Sequence, residues 1–138
     1  AGHMGYRIES VEGIGRVYAE RFRKIGIART DQLLERGRTR AQRKELSDEL
    51  TVEESLILKW VNMCDLMRLK GVGEEYSELI EAAGVDTVKE LRNRNAKNLA
   101  KSMRDANDAR KLVRQLPGEK QVARWVEQAK RLEPAIEY

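Results

Sequence analysis

The chain has 138 residues, 41% hydrophobic and 36% charged, with 27 Lys and Arg against 23 Asp and Glu for a formal charge of +4. That is room for one compact domain, or two small ones sharing a core, and no run approaches the roughly 20 apolar residues a bilayer-spanning helix needs. The only histidine, His3, lies in an opening Ala1-Gly2-His3-Met4 that reads as a cloning remnant, and Cys64 is alone, so histidine acid–base catalysis, a His- or Cys-built metal site and an intrachain disulfide drop out together.

Past residues 1–5, expected to be a disordered cloning remnant, a brief apolar turn is predicted over Ile8 to Val11, running into the corner Gly13-Ile14-Gly15. A helix of about ten residues follows and stops at Gly26, a residue suited to a left-handed C-terminal cap. Ile27 packs back, and a short helix begins near Thr30, an N-cap candidate, and ends near Gly37, a type that tolerates the left-handed conformation. Arg36, Arg38, Arg40, Arg43 and Lys44 then form a run with no acid among them, by default a solvated face. Thr51 with Glu54 has the form of a capping box. From there Val52, Leu56, Trp60, Met63 and Met67 recur at helical spacing. Cys64 lies in that apolar stretch and reads as a small buried hydrophobe in a reducing, cytoplasmic setting. The start carries no secretory signal pattern.

The second half repeats the first. Displaced by 58 positions, Gly13-Ile14-Gly15 falls on Gly71-Val72-Gly73, Tyr18 on Tyr76, Glu20 on Glu78, Gly26-Ile27 on Gly84-Val85 and Leu33 on Leu91. Thr87 matches Thr30 as a cap, and Asn95 takes the place of Gly37. Trp60-Val61 returns as Trp125-Val126 at a larger offset, which places an insertion near Asn107-Asp108. Pro117 suits the first turn of the last helix. Residues 6–64 and 65–138 are thus expected to be two versions of one unit, all-α with no strand. Trp60 and Trp125, among apolar neighbours at helical spacing, read as core, as do Tyr18 and Tyr76, which leaves few aromatics to stack on bases.

An apolar–x–Gly–apolar–Gly corner leading straight into a helix is the informative motif. Glycines let the backbone turn sharply and approach another molecule with no Cβ in the way. The helix that follows aims free N–H groups and the positive end of its dipole outward, a ready anion site. Val11-Glu12-Gly13-Ile14-Gly15 with Ala19, and Leu69-Lys70-Gly71-Val72-Gly73 with Ser77, resemble the helix-hairpin-helix superfamily. The resemblance implies a SAM-like bundle of short helices, with the duplicated hairpins packed as one compact domain. It also implies sequence-independent binding of double-stranded DNA across the minor groove. The chain departs from that pattern in having Glu12 and Lys70 where proline often stands, and in Glu74 and Glu75 after the second corner. Through Trp60-Val61-Asn62, Asp65-Leu66, Gly71-Val72-Gly73 and Ala83-Gly84-Val85-Asp86-Thr87, nearly the whole chain also resembles a bacterial domain-of-unknown-function family, number 4332.

The functional expectation is therefore a phosphate-backbone contact through Gly13, Ile14, Gly15, Arg16, Lys70, Gly71, Val72 and Gly73, with Arg38 and Arg40 contributing charge. Such contacts position a protein without reading bases. The alternative is a helical protein–protein adaptor. An enzyme ranks last, since no nucleophile–base pattern or phosphate loop ending in Lys-Ser/Thr occurs. No cofactor, small-molecule substrate or membrane partner is expected. The first corner, followed by Arg16 rather than Glu74 and Glu75, should be the stronger phosphate site.

Overall fold

Apolar periodicity resolves into helices throughout residues 5–138, the part of the chain that the computed structural model describes. Residues 1–4 of the expected remnant lie outside the described residues. Among the described residues there is no strand, only an isolated bridge between Arg7 and Arg29. A single 3-10 turn, Ile8–Ser10, precedes α1 (Arg16–Lys24), α2 (Thr30–Arg36), α3 (Arg40–Leu50) and α4 (Glu54–Leu66). The second half continues with α5 (Glu74–Ala82), α6 (Val88–Leu91), α7 (Ala96–Arg110) and α8 (Glu119–Arg131). Gly5, expected to be disordered with the remnant, is instead packed: its carbonyl accepts from Arg29, and a Cβ there would fall 2.7 Å from Thr30 Oγ1.

Both halves stop their first full helix in the same way. Gly26 and Gly84 adopt φ of +87° and +98°. Ile27 N–H then reaches back to Phe22 O, and Val85 N–H to Ile80 O, the six-to-one bond that closes a left-handed helix end. Ile27 and Val85 follow as fully buried residues.

Other helix ends differ from the expected capping. Thr87 does cap α6, its side chain accepting from Glu90 N–H. Thr30 instead is buried as the first residue of α2, and its hydroxyl accepts from Tyr6 N–H. Gln32 takes over the capping role by accepting from Ala28 and Arg29 N–H. Gly37 is not left-handed, with φ of −116°. It is glycine for lack of room, since a Cβ would lie 2.5 Å from Val61 Cγ2. Asn95 starts α7 rather than ending α6, its side chain accepting from Asn98 N–H. Thr51 closes α3 at φ +54° instead of opening α4, and the capping box belongs to Thr39 and Gln42. Pro117 precedes Gly118, the N-cap of α8, and so stands just outside that helix.

The extra residues of the second half divide between two places. Helix α7 has 15 residues where α3 has 11, and a longer link joins α7 to α8 than α3 to α4. The apolar side chains gather into two clusters, one between Ile8 and Met67 and one between Leu66 and Ala129. Helix α4 serves both, with Met63 and Cys64 in the first cluster and Leu66 in the second. Asp65, buried at its end, accepts from Val88 N–H at 2.8 Å and from Arg68 at 2.8 Å, so α4 caps α6 across the division. The C-terminal segment returns to the first cluster. Ala135 and Ile136 pack on it, and buried Arg43 donates to Gly37 O, Arg38 O and Glu137 O. One member of the basic run is thus a fastener, its buried guanidinium compensated by three charge-assisted bonds to carbonyl oxygens.

Candidate functional site

Each corner is built by a turn of backbone bonds before its helix. In the first, Val11 N–H bonds Ile8 O and Ile14 N–H bonds Val11 O; in the second, Leu69 bonds Leu66 O and Val72 bonds Leu69 O. Gly13 and Gly71 take the left-handed turn at φ +91° and +83°, a conformation that strains residues with a Cβ. Gly15 and Gly73 are extended N-caps. Small Ala19 and Ser77, both fully buried, let each helix pack closely.

The surroundings of the two corners differ. Among the described residues nothing lies within 4 Å of where a Cβ would stand on Gly15, and the first turn of α1 holds no acid. The Arg16 side chain is 93% exposed and meets Glu20 only at 3.9 Å. Gly73 instead lies under the ring of Tyr6, whose Cε1 would stand 3.8 Å from a Cβ there. Lys70 N–H donates to Gln128 Oε1, and Lys70 O accepts from Trp125 Nε1 at 3.0 Å. The peptide entering the second corner is therefore engaged by α8. In the first corner the corresponding indole, Trp60 Nε1, is buried with no hydrogen-bond partner among the described residues.

Carboxylates collect where the corners adjoin. Burial raises the Glu74 carboxyl above the usual range, reinforced by a hydrogen bond with Glu12 and by that side chain's charge. Glu78 is raised by burial and then by Glu12, against the opposing charge of Arg110 at 3.8 Å. Glu12 precedes the first corner and Glu74 opens the helix of the second, so the ground between them repels anions.

The expected site residues sort accordingly. Gly13, Gly15 and Arg16 form one exposed group; Gly71 and Lys70 are exposed beside α8. Ile14 and Val72 are 3% and 0% exposed, so their side chains are core, and only main chain is offered at those positions. Arg38 meets Glu137 at 3.9 Å. Arg40 lines a pocket with Arg43, Glu54 and Tyr138, and no bond joins either arginine to a corner. Tyr6 and Gln128, which close the second corner, went unforeseen. Gln121 and Gln128 flank Trp125 at helical spacing, a pattern that marks polar walls beside a buried indole.

Trp60 and Trp125 are each 1% exposed, with Tyr18 and Tyr76 tilted against them at 5.3 and 5.4 Å between ring centroids. Burial in a helix holds the Cys64 thiol protonated, far above its ordinary range. Among the described residues no cluster of His, Cys, Asp and Glu could hold a metal ion, and no helix is long and apolar enough to cross a membrane. The family model described as Domain of unknown function (DUF4332) matches residues 12–132, and the chain belongs to that family. No curated protein and no solved structure matches it.

Proposed function

We propose that this DUF4332 protein binds the phosphate backbone of double-stranded DNA without reading sequence, and that the first corner makes the principal contact. Its two Gly-x-Gly units are taken as helix-hairpin-helix hairpins of unequal use, in a bacterial cytoplasmic protein. The observation that carries this reading is the open end of α1: Gly15 uncovered, no acid in the first turn, and Arg16 extended into solvent. Free N–H groups, a positive helix end and a guanidinium together suit a phosphate oxygen. The second corner, covered by Tyr6 and flanked by Glu74 and Glu75, lends the scaffold rather than a second grip.

Fluorescence anisotropy with labelled duplexes of unrelated sequence tests this across a salt series. The expected dissociation constant is about 10⁻⁴ to 10⁻⁶ M at physiological salt, equal for all duplexes. Arg16→Glu should weaken binding about tenfold, equivalent to ~1.4 kcal/mol. Glu75→Arg should change it less, because Tyr6 still covers the neighbouring Gly73. No binding at low salt, or an Arg16→Glu variant that binds as well as the parent, rejects the reading.

The second reading, a protein adaptor, is favoured by the acidic seam of Glu12, Glu74 and Glu78. A duplex bridging both corners would have to cross that seam, whereas a protein partner would not need to.

A further inference from the structure

An open groove of about 990 Å³ runs along α8 beside the second corner, with Lys70, Gln121, Arg124, Gln128, Arg131 and Leu132 among its walls. We infer that this groove is a docking site for an acidic peptide segment that also carries apolar side chains. The inference extends the adaptor reading and does not depend on the first corner.

Its polar chemistry is one-sided. Gln128 Oε1 is occupied by Lys70 N–H, and Gln121 Oε1 accepts from Arg124. Both glutamine acceptors are therefore engaged, and among the described residues no bond takes up either Nε2. Lys70 and Arg131 pair with no carboxylate among the described residues, and Arg124 is held only by Gln121. The groove's one acid, Glu127, is tied to Lys130 at 3.0 Å. What faces an occupant is thus a set of donors and positive charges, complementary to carboxylates.

The rest of the lining is apolar, with half-buried Ala123 and Leu132 over the buried ring of Trp125. A sugar–phosphate chain would satisfy the cations but offers no large apolar groups to those side chains. A helical segment with Glu and Leu on one face satisfies both, laying its apolar stripe in the groove as grooves on helical proteins receive amphipathic helices. Gly71 belongs to the same wall, since a Cβ there would lie 3.4 Å from Gln121 Nε2.

The experiment uses the full chain and a short fluorescein-labelled helical peptide with glutamate and leucine on one face. Saturable binding by anisotropy is expected, and loss of at least about tenfold in affinity when the protein carries Arg124→Glu with Arg131→Glu. Both side chains are exposed, and circular dichroism and melting confirm that the variant is folded. Replacing the peptide's glutamates by glutamine, or its leucines by serine, should each weaken binding. Arg16→Glu should leave it unchanged, so failure here is separable from failure of the DNA reading. No peptide binding, or equal binding by the doubly reversed variant, overturns the proposal. So does duplex DNA that displaces the peptide and itself loses affinity in that variant, which would make the groove part of the nucleic-acid surface.

Discussion

The two corners share a backbone and differ in what covers it. Gly13 and Gly71 turn alike, and Gly15 and Gly73 cap alike, yet only Gly15 faces open space. Around the second corner, Tyr6 closes the glycine while Gln128 and Trp125 engage the entering peptide. Around the first, Trp60 Nε1 finds no partner among the described residues and Arg16 extends into solvent. Turn geometry is thus set within a unit, but availability for binding is set by the neighbouring element. A duplicated motif can keep its shape at both copies and its exposure at one.

The largest expected effect removes the pillars of the two clusters. Trp60→Ala and Trp125→Ala should each destabilise by about 3–5 kcal/mol in urea or thermal unfolding, as expected for deleting a buried indole. If one of them left the melting temperature alone, that half's cluster would not rest on its tryptophan and the likeness of the units would fail. Replacement by phenylalanine sharpens the contrast. Trp125→Phe loses the bond to Lys70 O, while Trp60→Phe loses none and removes a buried, unpaired N–H. The second-unit variant should therefore be the less stable of the pair by about 1 kcal/mol. Equal losses would mean that the two indoles are bonded alike in solution.

Much of this was legible in the residues. Self-similarity at 58 positions located both corners and both left-handed caps, because glycine at φ > 0 leaves a signature that periodicity does not blur. Burial of Trp60, Trp125 and Cys64 followed from helical spacing. Local capping was less legible: Thr30, Thr51, Gly37 and Asn95 are all types with several uses. Tertiary packing chose among them, as when the nearness of Val61 fixed glycine at position 37. Least legible were contacts between distant segments. Nothing near Gly73 announces Tyr6, and nothing in the Arg36 to Lys44 run announces that Arg43 fastens the C-terminal segment through Glu137 O. Charge in a run says how many cations there are, not which of them are already in use.

The smallest expected effect concerns the ground between the corners. Glu74 and Glu78 have folded-state carboxyl pKa values above their ordinary range, with burial the first cause and Glu12 a contributor to both. A raised pKa means that the native state holds its proton more tightly than the unfolded chain does. The stability linked to it is present at acid pH and is lost as pH rises through the folded value. At neutral pH the seam therefore works against the fold. Glu12→Gln removes a charge common to both neighbours while leaving Glu74 and Glu75 in the first turn of α5, where acids favour the helix's positive end. The Lys59–Glu81 and Arg110–Glu78 pairs are left in place. Glu74 is exposed and Glu12 and Glu78 are only partly buried, so solvent screens the repulsion and the expected gain at pH 7 is only about 0.3–0.5 kcal/mol, or roughly 1–3 °C in melting temperature. The difference between variant and parent should shrink as pH falls through the raised folded-state values of Glu74 and Glu78, and should shrink in high salt as well. A variant no more stable than the parent at pH 7, or one whose gain ignores pH, would show that the carboxylates between the corners do not repel one another. The electrostatic part of the contrast between the two corners would then be lost, leaving only the cover that Tyr6 provides.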